Sequence, residues 1–159
     1  MASDDTLFTG SDRADLVAIS RVLYPHPQLA DAPYLRTVAS ILDRASAEPL
    51  LYRDLVTGLD ELRTAAGGGI AGAESAELRR LLRDRESTGF FSTMRSLVVW
   101  YLYDDHEVWE FVGYPGASFD QGGYLGRGFN DLDWLPDPRI EESAETLADI
   151  GPLTPEVAE

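Results

Sequence analysis

Apolar residues recur every three or four positions along most of the chain, and nowhere do they alternate strictly in the way a half-buried strand requires. The first such stretch runs from Ser11 to Tyr24 with Leu16, Val17, Ile19, Val22 and Leu23 as its stripe. Ser11 or Asp12 is placed to cap it, and Pro25 to end it. After the turn-rich 25-PHPQLADAP-33, Pro33 stands at a helix start with Asp31 just before it. Tyr34, Leu35, Val38, Ile41 and Leu42 form that helix's apolar face, which is expected to end near Ala45. Pro49 opens a third helix carrying Leu51, Leu55, Val56, Leu59 and Leu62. A fourth, Arg-rich helix is expected from about Ala73 to Glu86, with Leu78, Leu81 and Leu82 turned inward.

The fifth stretch, capped by Thr88, carries Phe90, Phe91, Met94, Leu97, Val98, Tyr101 and Leu102. It is apolar over more than one stripe and so reads as the central helix. Asp104 and Asp105 then favour a short sixth helix with Val108, Trp109, Phe111 and Val112, stopped by Gly113. No internal repeat is visible. The pattern predicts an all-α, single-domain bundle of five or six helices over 11–113, behind a flexible 1–10. A long irregular aromatic and Gly-rich arm follows over 114–139, and then an acidic tail over 140–159. Within the bundle, 66-AGGGIAG-72 reads as a linker, because consecutive glycines carry a large conformational entropy.

Charge and composition then restrict the function. A hydrophobic share of 44% in a chain of 159 residues is enough for one packed core. The formal charge is −15, and every one of the 13 cationic side chains is Arg. Such a balance disfavours nucleic acid, whose phosphates need clustered basic residues. It also disfavours an anionic membrane surface. The excess of acid reads either as solubility or as a docking face for a basic partner. There is no Cys, which excludes disulfides, thiolate nucleophiles and zinc–thiolate sites. No apolar run approaches a membrane span, so no membrane insertion is expected. The first ten residues lack a basic or twin-arginine export pattern, which predicts a cytoplasmic protein.

The chemical candidates are few. His26 sits between two prolines, as a connector residue would. His106 lies among Asp104, Asp105 and Glu107, but neighbours along a helix do not face each other. No nucleophile elbow accompanies it. The carboxylates around 104–110 match no metal-helix spacing, and 130-NDLD-133 lacks the Gly and final Glu of a calcium loop. The glycines of 66–72 and 122–128 follow neither phosphate-loop pattern, so neither a cofactor nor a metal is expected in this chain. The Arg-rich helix has acids at ion-pair spacing and reads as a solvated face.

What remains is the arm. Trp109, Tyr114, Pro115, Phe119, Tyr124, Arg127, Phe129 and Trp134 combine aromatics and Arg on an irregular backbone, the composition of a protein–protein hot-spot surface. The alternative is a loop that buries its aromatics against its own bundle.

The chain resembles the gluconate 2-dehydrogenase subunit 3-like family. The features that carry the resemblance are 90-FFSTMRSLVVWYLYDD-105, then 109-WEFVGYPG-116 and 122-GGY-124, with 22-VLYPH-26 similar to the family's opening helix. The resemblance implies a non-catalytic small subunit that binds and stabilises, or helps mature, a large FAD-dependent sugar or glycoside dehydrogenase or oxidase of the glucose–methanol–choline type. It implies that FAD resides in the partner and that the eight arm residues named above grip that partner. Two alternatives are a stand-alone helical protein-binding module and a small acid/base enzyme using His106 with Asp105 or Glu110.

Overall fold

Thr9, not Ser11 or Asp12, caps the first helix. In a computed structural model that describes residues 7–123, the Thr9 hydroxyl accepts the Asp12 N–H while the Asp12 carboxylate accepts the Thr9 N–H at 2.7 Å. This reciprocal box satisfies two amides that a helix start otherwise leaves bare. Helix α1 accordingly spans Gly10–Leu23. Phe8, in the segment expected to be flexible, is buried and meets Tyr52 edge-on at 5.1 Å.

Five further helices follow, all-α as the periodicity predicts, with no strand among the described residues. They are α2 (Asp31–Ala47), α3 (Pro49–Ala66), α4 (Ser75–Arg83), α5 (Gly89–Leu102) and α6 (His106–Val112). The 7–116 stretch belongs to one compact unit; a second unit starts at Ala117. In that second unit the described residues form a single 3₁₀ turn, Phe119–Gln121, closed by the Gly123 N–H on the Ser118 carbonyl at 2.7 Å.

Helix α2 is the most extensively packed element of the bundle. It packs against α1, α3 and α5, and it buries Tyr34, Thr37, Val38, Ile41, Leu42 and Ala45. A helix with neighbours on three sides needs a wide apolar face; α5, packed against α1, α2 and α3, has three neighbours as well. On α5, Phe90, Met94, Leu97, Val98 and Leu102 point into the core, while Val99, Trp100 and Tyr103 are left exposed. The apolar excess that made α5 look central is therefore divided between core and surface.

The glycine-rich segment is fastened rather than loose. Gly67 takes the left-handed conformation (φ 72°) that ends α3. Ile70 is then buried in the core. Asp15 on α1, only 2% exposed, accepts the Ile70 and Ala71 N–H groups at 3.0 and 2.8 Å and the Arg63 Nε at 2.8 Å. Asp12 takes the other edge of the same guanidinium at 2.7 Å. Burial pushes the Asp12 carboxyl up, but the Thr9 bonds and Arg63 outweigh it and hold it below its ordinary value. Near the middle of α3, Gly58 permits a close crossing with α5: a Cβ there would lie 2.1 Å from the Phe90 ring. No helix among the described residues is long and apolar enough to cross a membrane.

Candidate partner-binding face

Helix α6 has only seven residues, too few to stand unaided. Four attachments hold it. Asp105 caps it by accepting the Glu107 N–H at 2.9 Å. Val108 is its one buried side chain. Arg36 reaches across from α2 and donates to both Asp105 oxygens, at 2.6 and 2.9 Å, and to Glu107 at 2.7 Å. The Trp109 indole N–H donates to the Tyr103 carbonyl at 2.6 Å. The hydrogen bonds from Arg36, helped by those from the helix amides, hold the Asp105 carboxyl below its ordinary range. Arg36 is correspondingly raised, the Asp105 bond being the main cause.

The end of α6 folds back on itself. Gly113 and Gly116 adopt φ of 72° and 86°, and the Tyr114 N–H returns to the Trp109 carbonyl at 2.8 Å. Tyr114 thus comes edge-on to Trp109 at 5.2 Å, while His106 stacks on Trp109 at 4.5 Å. Tyr114 and Pro115, assigned to an irregular arm by sequence, lie in the helical unit.

A second aromatic group abuts this one. Tyr34, fully buried, donates its hydroxyl to the Tyr24 carbonyl at 2.5 Å and accepts the His26 N–H at 3.3 Å, which sets the turn after α1. His26 Nε2 then lies 2.8 Å from the Tyr103 hydroxyl, and its ring meets Tyr103 and Phe111 edge-on. Tyr24 meets Tyr103 edge-on from α1. Burial raises the Tyr34 and Tyr103 hydroxyls above their ordinary values, so both stay neutral. The result is a continuous aromatic surface built from the ends of α1, α5 and α6. Its exposed members include Phe111 (40%) and Tyr114 (42%), with Val112 (49%) beside Phe111 on α6.

Of the residues singled out by sequence, the structure brings Trp109 and Tyr114 together, with Pro115 next along the chain. Phe119 lies in the 3₁₀ turn of the second unit. Tyr124, Arg127, Phe129 and Trp134 fall outside the described residues. The face also contains Tyr24, His26, Tyr103 and Phe111, which sequence reasoning did not assign to it. One signal was available for Tyr103, at the end of α5: that helix has more apolar positions than one buried stripe can use. None was available for the His26–Tyr103 pairing, whose members lie 77 residues apart.

The acid/base arrangement around His106 does not form. Its ring lies on Trp109, and the Asp105 carboxylate is taken by Arg36 and the helix amide. Among the described residues no carboxylate comes within 4.0 Å of a His nitrogen, and no cluster of three or more His, Asp or Glu is placed to hold a metal. Known protein families, curated proteins and solved structures offer no match to this chain.

Proposed function

We propose that this protein is a non-catalytic accessory subunit that uses the α5–α6 aromatic face to bind a larger protein. The partner is a cytoplasmic FAD-dependent dehydrogenase or oxidase of the glucose–methanol–choline type, acting on a sugar or glycoside, with FAD held in that partner. The observation that carries the reading is the exposure of Phe111, Val112 and Tyr114 on rigidly anchored backbone. Large aromatic side chains exposed together on a folded surface cost solubility unless a partner covers them, and they supply the anchors of typical interfaces. The identity of the partner rests on the resemblance around 109-WEFVGYPG-116. The anchoring by Arg36, Asp105 and Val108 supports it, because docking on pre-set side chains avoids part of the ordering cost of binding.

The test is co-expression with flavoproteins encoded beside this chain. The expected result is a higher yield of FAD-loaded partner and co-purification in fixed stoichiometry. Phe111→Ala and Tyr114→Ala should each weaken the complex by about 2 kcal/mol, the cost of losing an anchor. Flavoprotein yield and activity that do not depend on this chain would rule the reading out. Binding of a non-flavin protein through the same face would favour the stand-alone binding module instead.

A further inference from the structure

A groove runs along the opposite flank of α1, between that helix, the start of α2 and the 71–79 segment. Its volume is about 410 Å³, in the range of small-molecule sites. It exists because α1 carries a second apolar stripe beside its core stripe. Ala14, Val17, Ala18 and Val22 face the groove, spaced as one side of a helix, and the two alanines leave the trough unfilled. Leu78 of α4 and Leu35 of α2 supply the other walls. From Ala14 to Val22 the trough runs about 12 Å, at 1.5 Å per helical residue.

Two cations and one carboxylate, Asp31, border it, and the cations differ. Arg21 is occupied: it pairs with Asp31, donates to the Leu29 carbonyl at 3.3 Å and lies over the Tyr34 ring at 4.4 Å. Arg79 has no hydrogen-bond or ion-pair partner among the described residues. In a chain of net charge −15, carboxylates are abundant, yet among the described residues none is paired with this guanidinium. A trough with an apolar helix stripe along one wall and an uncommitted, fork-shaped cation in its lining is complementary to an anion with a hydrocarbon body.

We infer that this groove is a binding site for a medium-chain carboxylate. Arg79 receives the carboxylate, and Val17, Val22, Leu35 and Leu78 cover the acyl chain. The inference is independent of the partner assignment, since none of these residues belongs to the aromatic face.

The test is a titration of the ¹⁵N-labelled full chain with sodium octanoate, and in parallel with octylammonium chloride, followed by amide shifts. Octanoate should shift the Ala18, Val22 and Leu78 amides saturably, and octylammonium should not. Arg79 is exposed, so Arg79→Gln keeps the fold, and it should weaken octanoate binding by about tenfold or more, as expected for losing a charge-assisted hydrogen bond. Ala18→Leu, which fills the trough, should abolish binding in a chain whose thermal melt shows it folded. The proposal is overturned by any of three results: no saturable shift at these amides up to about 10 mM octanoate, equal affinity in Arg79→Gln, or equal binding of octylammonium.

Discussion

Replacing Asp15 with Ala removes one acceptor and strands three donors: the Ile70 and Ala71 amides and one edge of Arg63. Breaking a buried pair from one side leaves the other side desolvated and unpaired, which costs about 3 kcal/mol even with Asp12 still holding Arg63. Urea unfolding should show that loss as a lower midpoint with an unchanged slope. Gly58 is a steric case. An added methyl meets the Phe90 ring, and overpacking of this kind costs roughly 1–3 kcal/mol. Gly58→Ala should therefore cost markedly less in a Phe90→Leu background, and equal costs in both backgrounds would mean that the crossing relaxes elsewhere. Neither constraint was legible as such. A glycine inside an amphipathic helix and an acid beside Leu16 were visible, but the groups that make them necessary come from distant parts of the chain.

Helix boundaries were legible at several local chemical signals, though not at Pro33, which lies two residues inside α2 rather than at its start. Pro49 starts α3, Thr88 caps α5, Asp105 caps α6 and Gly113 ends it, as the residue types predict. The start of α1 moved to Thr9 because the reciprocal pair with Asp12 outcompetes the later caps. What periodicity could not decide is which face of an element meets solvent. That depends on where its neighbours sit around it: α2 and α5 each pack against three helices, and α5 still leaves Val99 and Trp100 exposed. For α6 the consequence is a dependence on ionisation. Asp105 titrates below its ordinary value in the folded state, so its bonds to Arg36 contribute fully above the unfolded value of about 3.9. That contribution disappears as pH falls through the lower folded value. Emission from Trp109, read in a chain with the other tryptophans changed to Phe, should report release of α6 in that acidic window. Arg36→Ala should produce the released signal at neutral pH and weaken partner binding alongside it. Unchanged emission in Arg36→Ala would assign the fastening of α6 to Val108, the Asp105 cap and the Trp109–Tyr103 hydrogen bond.

At the scale of the whole molecule, 28 acids face 13 arginines. Several exposed arginines are already paired locally, as Arg44 is with Glu48 and Arg80 with Asp84, which leaves a large unbalanced negative field. Self-repulsion of that kind opposes the compact state and is screened by salt. Tm at pH 7 should therefore rise as ionic strength is raised from about 0.01 to 0.5 M. A fall instead would mean that the local pairs contribute more than the net repulsion removes. The class of fold was legible at this scale because an all-helical bundle is specified by periodicity repeated six times over. The aromatic face was legible only in part: Trp109 and Tyr114 are joined by local chain geometry, but His26, Tyr103 and Phe111 meet only once the helices have packed.

The fastening of the glycine-rich segment has a consequence for hydrogen exchange. Amides in a run of glycines on a surface ordinarily exchange through small local openings. The amides of Ile70 and Ala71 are held by a carboxylate 55 or 56 residues earlier in the chain, on a different helix. They cannot open unless α1 separates from the segment beneath it. The Ile70 amide, whose side chain is buried in the core, should exchange far more slowly than those of the neighbouring glycines, and so report the docking of this loop on α1.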